Sequence, residues 1–242
     1  MTFHTTYAYS FLRHHANACT SSAAAKNNAL LVHTSWIING QVTTTDLEDV
    51  DLAGLVDSFI ATQRVTTTTL TIWLHQRTAT ASDPASSTAA SKFNLYFETR
   101  YYKSDNSSKN NSTRQVRFVD AHSAMAELAA QTCIGTAEEM YHPPKLQSQL
   151  ELFRVVVLTV QGGLYIEPDH LFTRGLQRLV EIAGEFVVQQ PMSQMLSTSV
   201  MHLDCGSKVG HGMLKLVCKW PQSNDDRSVW EPFCKEVRMI CF

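Results

Sequence analysis

The chain has few charged residues, little glycine or proline, and no long apolar run. The longest β-like apolar run extends from Val155 to Val160, far short of the roughly 18 to 20 residues that span a bilayer, so no transmembrane segment is predicted. Charged residues make up 17% of the 242, and ten glycines and seven prolines are too few for a collagen-like repeat or a long disordered tract. With 44% hydrophobic residues, the composition predicts a globular protein with a full core.

An excess of basic residues is also missing. Twenty Lys and Arg residues oppose twenty-two Asp and Glu, for a net charge of −2. A protein that binds the phosphate backbone of nucleic acid carries a basic excess or a basic stripe, so nucleic acid is not expected as a partner. The first thirty residues lack the apolar core of a secretory signal. This predicts a cytoplasmic protein if the chain is complete as written, or an upstream anchor outside it.

The six cysteines include no C-x-x-C pair, and the four in the last forty residues are spaced too irregularly for a zinc ribbon. Two interpretations stay open. The cysteines are reduced and buried in a cytosolic protein, which is the commoner case, or some of them form a disulfide in a lumenal enzyme.

Periodicity predicts a βαβ unit after a polar, weakly ordered lead-in at residues 1–28. A buried strand is expected at Ala29–Trp36, an amphipathic helix at Asp51–Gln63 and a β-branched strand at Thr67–His75. Strand, helix and strand in this order are typical of a parallel sheet flanked by helices. Residues 29–242 are predicted to form a single domain.

Loops and further elements follow this unit. Small and polar residues predict loops at 78–91 and 104–113, the second with N-x-S/T sequons that matter only in the secretory pathway. The sequons are at Asn106, Asn110 and Asn111. The predicted strands are Phe93–Tyr102, Leu164–Ile166, Phe186–Val188 and Ser199–Leu203, and the predicted helices are Phe118–Cys133, Leu146–Leu158 and Gly212–Lys219.

One segment carries residues suited to chemistry. Glu151 and Arg154 lie three residues apart on a predicted helix, where a carboxylate and a guanidinium share a face. The Gly162-Gly163 turn, which allows close approach of the backbone to a ligand, leads into a short strand that ends at Glu167 and Asp169. Mg²⁺ or Mn²⁺ is typically held by one or two carboxylates plus substrate phosphates. The pattern therefore favours metal-assisted departure of a phosphate leaving group.

Each of these residues also has a purely structural explanation. Glu167 and Asp169 would suit a solvated turn, and Glu151 with Arg154 would suit an i,i+3 surface pair. His33 would suit a hydrogen-bonded histidine near a strand end.

The segment from Arg154 to Leu176, RVVVLTVQGGLYIEPDHLFTRGL, resembles the DXD region of the GT-A glycosyltransferases. The resemblance is to the group with fungal α-1,6-mannosyltransferases, inositol-phosphoceramide mannosyltransferases and α-1,4-linking sugar transferases, which carry Asp-x-x-Arg on a helix and then Gly-Gly-x-Tyr-x-Asp-x-Asp. His33-Thr34-Ser35-Trp36 is similar to the H-x-x-W at which that family begins its nucleotide-sugar fold. Over about residues 29–205, the resemblance implies an α/β fold of the GT-A type, with a mostly parallel central sheet flanked by helices.

The resemblance also implies a function and a set of site residues. The function is metal-dependent, retaining transfer of a hexose from a nucleotide-sugar donor to a glycan or glycolipid acceptor, in the Golgi or secretory-pathway lumen. The ligands of Mn²⁺ or Mg²⁺ would be Glu167 and Asp169. The catalytic residues in contact with the donor sugar would be Glu151 and Arg154. The other substrate-binding residues would be His33, Trp36, Gly162, Gly163 and Tyr165.

The sequence departs from the family pattern in several places. Glu151 and Glu167 stand where the family has Asp, and Ser197–Val200 replaces a strand that contains Asn. The end at Phe242 is short of the family's C-terminal helices, which points to a truncated C-terminus. These departures favour an alternative: a catalytically degenerate relative that binds a nucleotide, a glycan or a partner protein without turnover. A third, less favoured hypothesis is a metal-dependent phosphohydrolase that uses the same acids.

Overall fold

The structure is a computed structural model, and it describes residues 8–10, 30–63, 68–76, 85–102, 115–136, 146–189 and 196–219. The chain divides into two compact units. The first unit lies within Lys26–Ala124 and Ile166–Gln177, and the second lies within Met1–Ala25, Met125–Tyr165 and Arg178–Phe242. The loop predicted at 104–113, with its three sequons, and nearly all of the lead-in at 1–28 lie outside the described residues. The boundary predicted after residue 28 stays a prediction.

The strands are β1 Ala8–Ser10, β2 Leu30–Ile38, β3 Thr68–Gln76, β4 Val116–Asp120, β5 Gly163–Ile166, β6 Phe186–Gln189 and β7 Leu196–Leu203. The helices are α1 Thr44–Leu47, α2 Val50–Thr62, α3 Ala85–Tyr102, α4 Ala121–Ala130, α5 Leu146–Gln161, α6 Gln177–Ala183 and α7 Lys208–Lys219. The predicted fold class is confirmed: the fold is mixed α/β, with a mostly parallel sheet flanked by helices.

The first unit is built on parallel strands in the order β2-β3-β4. β2 and β3 pair along their full length, from Leu30 opposite Thr68 to Ile38 opposite Gln76. Both strands are buried on both faces, as expected for parallel strands covered by helices. The strands predicted from Ala29 and Thr67 are therefore confirmed.

Helix α2 connects β2 to β3 and confirms the predicted amphipathic helix. It begins because the side chain of Asp49 accepts hydrogen bonds from the backbone N–H groups of Asp51 and Leu52, which satisfies donors that a helix start leaves open. Its buried side chains recur at helical spacing. They are Leu52, Leu55, Val56 and Phe59.

The strand predicted at Phe93–Tyr102 is wrong, because these residues belong to helix α3. The helix also takes up the second half of the predicted loop at 78–91. Aromatic residues favour strands, but here they recur every four residues and therefore share one helix face. Phe93 and Phe97 stack on Phe118 of β4, with ring centroids 5.2 and 4.8 Å apart. This packing explains why the helix prevails over the local preference for a strand.

The helix predicted at Phe118–Cys133 is right only in its middle. Residues 116–120 form β4, in which Val116, Phe118 and Asp120 are buried while Arg117 is exposed. This period of two is that of a strand. Helix α4 then occupies Ala121–Ala130.

The second unit combines antiparallel strands with a buried helix. β1 pairs with β6, and β6 with β7, both antiparallel, and β1 is a strand that the sequence analysis does not predict. Helix α5 confirms the predicted helix at Leu146–Leu158 and extends it to Gln161. It is buried nearly all round, which is typical of a helix at the centre of a core.

A disulfide bond joins Cys133 to Cys218 on α7, across 85 residues of sequence. Cys205 is disulfide-bonded as well. The interpretation that the cysteines are reduced and buried is therefore wrong, and the expected disulfide is confirmed, while the lumenal location stays a prediction. Among the helices described, none is both long and apolar enough to cross a membrane.

We predict that Gly210→Ala destabilises the second unit, whereas Gly212→Ala on the same helix does not. A Cβ at Gly210 would lie 2.3 Å from the Oγ1 atom of Thr159. Thr159 is β-branched and donates a hydrogen bond to the carbonyl of Val155, so it cannot easily move away. We expect a loss of about 1–3 kcal/mol in the free energy of unfolding, measured by urea denaturation.

Gly212→Ala is the matched control, because a Cβ at Gly212 meets no atom within 4 Å. Its expected effect is neutral or a gain of up to about 1 kcal/mol from helix propensity. Equal losses of stability in both variants would contradict the prediction, because the contact with Thr159 would then not restrict the side chain at position 210.

We also predict that Cys133→Ser lowers the free energy of unfolding by about 2–4 kcal/mol, because the bond closes a long loop in the unfolded chain. Calorimetry or urea denaturation measures the loss. The double variant Cys133→Ser, Cys218→Ser should be no less stable than the single variant, since both remove one bond. Additive losses would contradict the assignment of this pair.

Candidate functional site

The predicted metal ligands lie on a tight turn directly after β5. The carbonyl of Glu167 accepts a hydrogen bond from the backbone N–H of His170 at 3.3 Å, which closes a four-residue β-turn with Pro168 at its second position, where proline is favoured. Glu167 is half-buried, whereas the Asp169 side chain is 77% exposed. The Oδ1 atom of Asp169 lies 2.6 Å from Nδ1 of His170. We name residues 167–170 the acidic turn.

The residues after the acidic turn dock along helix α2, and we name residues 171–176 the strap. A Cβ at Gly54 would contact the Leu171 side chain at 3.6 Å, and the Phe172 ring meets the edge of Phe59 at 5.2 Å between centroids. The backbone N–H of Phe172 donates to the Oγ of Ser58 at 3.2 Å. The strap is thus packed and hydrogen-bonded to one helix.

The strap ends in a clamp made by Gln63, the residue after α2. Its Nε2 donates to the carbonyl of Arg174 and its Oε1 accepts from the N–H of Leu176, both at 2.9 Å. Gln63 is only 6% exposed, so these bonds satisfy a buried amide that would otherwise be costly.

The contacts fix the direction of the strap, and hence the location of the acidic turn. Residue numbers rise together along the strap and α2, from Leu171 beside Gly54 to Leu176 beside Gln63. The acidic turn therefore lies toward the start of α2. Because α2 returns from the end of β2 to the start of β3, its start lies at the carboxyl edge of these parallel strands. In open α/β sheets this edge is where ligands bind.

The two predicted substrate-binding residues of β2 are not brought together. His33 and Trp36 are three positions apart, an odd offset, so they lie on opposite faces of the strand. His33 is 0% exposed, and its Nδ1 accepts a hydrogen bond from Nε1 of Trp73 at 3.3 Å. Trp36 is half-buried. The structure thus gives His33 a role in the core, and its contact with a ligand stays a prediction.

A second buried histidine lies on the same face of the sheet. Nε2 of His75 is 3.1 Å from the Oγ of Ser35. Burial lowers the pKa of His75 from 6.5 to about 3, because the charged form would lose its hydration. His75 is therefore neutral at physiological pH.

In the second unit, Arg154 is held in the core. It is 2% exposed, its Nη1 contacts the Oγ1 of Thr198, and its guanidinium carbon lies 4.4 Å from the centroid of the Tyr165 ring. A cation over an aromatic face is an attractive arrangement that is stronger when desolvated. Glu151, one turn earlier on α5, is half-buried. The structure thus brings together Arg154 and Tyr165, two of the predicted residues.

The glycine pair after α5 is closely approached by protein backbone. A Cβ at Gly162 would lie 2.5 Å from the backbone nitrogen of Cys205, and both glycines have positive φ, +71° and +104°. Only glycine adopts such angles readily. The close approach expected for a ligand is therefore made at Gly162 by the chain itself.

The acidic turn fits a hard cation by its chemistry. Two carboxylates, one of them largely exposed, offer the oxygen ligands that Mg²⁺ or Mn²⁺ takes together with water and substrate phosphates. In the part of the chain that the structure describes, no group of three or more His, Cys, Asp or Glu side chains is placed to hold a metal. A cation at the acidic turn would therefore need further oxygen ligands from water or from a substrate phosphate.

Several contacts that hold the predicted residues, in one unit or the other, were missed by sequence reasoning. Ser58 and Gln63 contact partners more than 100 residues away, and Thr198 contacts Arg154 across 44 residues. The periodicity of apolar residues predicts which side chains are buried but not which residues they contact, so the sequence carried no signal for these contacts.

No family model and no curated protein matches the chain. Among solved structures, the chain is similar to one titled "PaToxG Glycosyltransferase", at 12% identity and a TM-score of 0.49, over 87% of this chain and 68% of that one. A likeness at this level assigns no activity or substrate to this chain.

We predict that the stability of the protein falls as the pH drops below 6.5. The unfolded chain takes up a proton at His75 near pH 6.5, whereas the folded protein does so only near pH 3. The stabilisation is complete above pH 6.5 and is lost toward pH 3, by up to about 1.4 kcal/mol per pH unit. Burial also lowers the pKa of His202, which adds to the same slope.

Urea denaturation between about pH 7.5 and 4.5 measures this slope. His75→Gln should flatten it, because glutamine does not titrate, whereas His211→Gln, which removes an exposed histidine, should leave it unchanged. An equal slope in wild type and His75→Gln would rule out a neutral, buried His75.

Proposed function

We propose that this chain is a glycosyltransferase that transfers a hexose from a nucleotide sugar, with Mn²⁺ or Mg²⁺ at the acidic turn. One observation carries the proposal: an exposed Asp169 and a half-buried Glu167 share a β-turn toward the carboxyl edge of parallel strands. The sequence around them also resembles the DXD region of the GT-A glycosyltransferases.

The proposed chemistry is departure of a nucleoside diphosphate. A divalent cation supplies charge neutralisation for the leaving diphosphate. Glu167 and Asp169 would hold that cation, and their place at a strand end would fix it relative to the donor. The family resemblance implies retention of the anomeric configuration, and the acceptor is proposed to be a glycan or a glycolipid.

Arg154 and Tyr165 form a packed pair within the second unit. The guanidinium is buried against the ring, so its proposed role is to fix Tyr165, a residue of β5. Glu151 is more exposed than Arg154 and is the better candidate for contact with the sugar.

We further propose that the protein works in an oxidising compartment such as the secretory-pathway lumen. Cys133 and Cys218 form a disulfide although both are solvent-exposed. Exposed disulfides persist in oxidising surroundings and are reduced in the cytosol.

We expect Asp169→Asn to weaken metal-dependent binding of the donor at least roughly tenfold, as loss of even an outer partner of a metal ligand costs that much. The test is calorimetry and thermal shift with GDP-mannose, UDP-galactose, UDP-N-acetylglucosamine and UDP-glucose, each with and without Mn²⁺. Glu127→Gln neutralises an exposed carboxylate on α4 and is the control. If a donor binds the wild-type protein only with metal and binds Asp169→Asn with the same affinity, Asp169 is not part of the metal site.

A nucleotide- or glycan-binding module without turnover is the second candidate, and the burial of Arg154 favours it. Product analysis separates the two. Donor binding without release of nucleoside diphosphate, in the presence of a range of acceptors, would support the binding module. Release of phosphate from simple esters would instead support a phosphohydrolase.

A further inference from the structure

We infer that Ser58 and Gln63 of the first unit are positioning residues for the acidic turn. This inference rests on the proposed function, because it concerns how the turn that would hold the cation is kept in place. Both residues act through the strap that follows the turn.

The two side chains bond the strap at both ends. Ser58 accepts from the N–H of Phe172, three residues after Asp169. Gln63 bonds the backbone at Arg174 and Leu176 with both ends of its amide. Between these bonds, the Phe172 ring is buried and packs on Phe59.

Gln63 is itself held from the other side. Its Nε2 also donates to the Oγ1 of Thr62 at 2.7 Å, and its backbone carbonyl accepts from Nε2 of Gln115 at 3.1 Å. The carbonyl of Gln115 in turn accepts from the N–H of Leu70 on β3. The clamp is therefore anchored to the end of α2 and to the sheet, which makes it a rigid reference for the strap.

Two bonds of the acidic turn join residues within the turn itself, and one of them is the 2.6 Å contact between Oδ1 of Asp169 and Nδ1 of His170. Asp169 is largely exposed and the turn is closed by a 3.3 Å backbone bond. A cation binds only the fraction of molecules in which both carboxylates are in position, so its apparent affinity falls with that fraction. Fixing the strap raises this fraction without any contact to the cation.

The test compares four variants by two readouts. Ser58→Ala and Gln63→Ala each remove hydrogen bonds to the strap, and Ser58→Ala raises helix propensity, so the fold should be retained. Ser58→Thr keeps the hydroxyl. Ser123→Ala, which removes a hydroxyl bonded to the Asp120 carbonyl at 3.1 Å, is the matched control away from the strap.

The first readout is hydrogen exchange in peptides that cover residues 166–177, which include the amides bonded to Ser58 and Gln63. The second is Mn²⁺ affinity, from electron paramagnetic resonance of free Mn²⁺ in the presence of UDP or, separately, GDP. Loss of a neutral hydrogen bond corresponds to about a three- to tenfold change in an equilibrium.

We expect Ser58→Ala and Gln63→Ala to speed exchange in these peptides and to weaken Mn²⁺ binding about three- to tenfold, while Ser58→Thr and Ser123→Ala match wild type. Faster exchange with wild-type Mn²⁺ affinity would overturn the positioning role and leave the strap merely structural. Unchanged exchange in Ser58→Ala and Gln63→Ala would show that these two side chains do not hold the strap. Absence of Mn²⁺ binding to wild type with either nucleotide would instead overturn the proposed function.

Discussion

The first unit depends on helix α2 having two packed sides. Leu52, Leu55 and Val56 of the helix pack into the core. The strap docks at Ser58 and Phe59 of the helix and at Gln63, the residue that follows it. The partners on the strap are 111 to 114 residues away in sequence. Because the entropic cost of closing a loop grows only slowly with its length, a few partly buried bonds and one aromatic contact suffice to hold the strap on α2.

The sequence predicts the fold well in segments whose apolar residues follow a single periodicity, either that of a strand or that of a helix. β2, α2, β3 and α5 are each uniform in pattern, and each was expected close to its observed bounds. The prediction failed at Phe93–Tyr102, where strand-favouring aromatics also fit a four-residue repeat. Stacking of Phe93 on Phe118 decides between the two, and that partner is 25 residues further along the sequence. The strand propensity of a residue takes no account of contacts with residues that are distant in the sequence.

The sequence predicts the order of the candidate site residues along the chain, but it does not predict which of them are buried. The motif placed Glu167 and Asp169 at a strand end, where the structure has them on a turn. It could not show that His33 is hydrogen-bonded to Trp73 in the core, or that Cys205 fills the space beside Gly162. Each of these contacts is made with a residue that is distant in the sequence, whereas the motif describes only residues that are close in the sequence.

Burial separates the predicted residues into two physical groups. His33 and Arg154 are buried polar groups, and each is hydrogen-bonded, as burial requires, because an unpaired polar group in the core is costly. Such groups are rigid and have little surface left for a ligand. Asp169 is the opposite: it is exposed and held by the turn and the strap that follows it. Asp169 is thus accessible to solvent, whereas His33 and Arg154 each stabilise the core of their own unit.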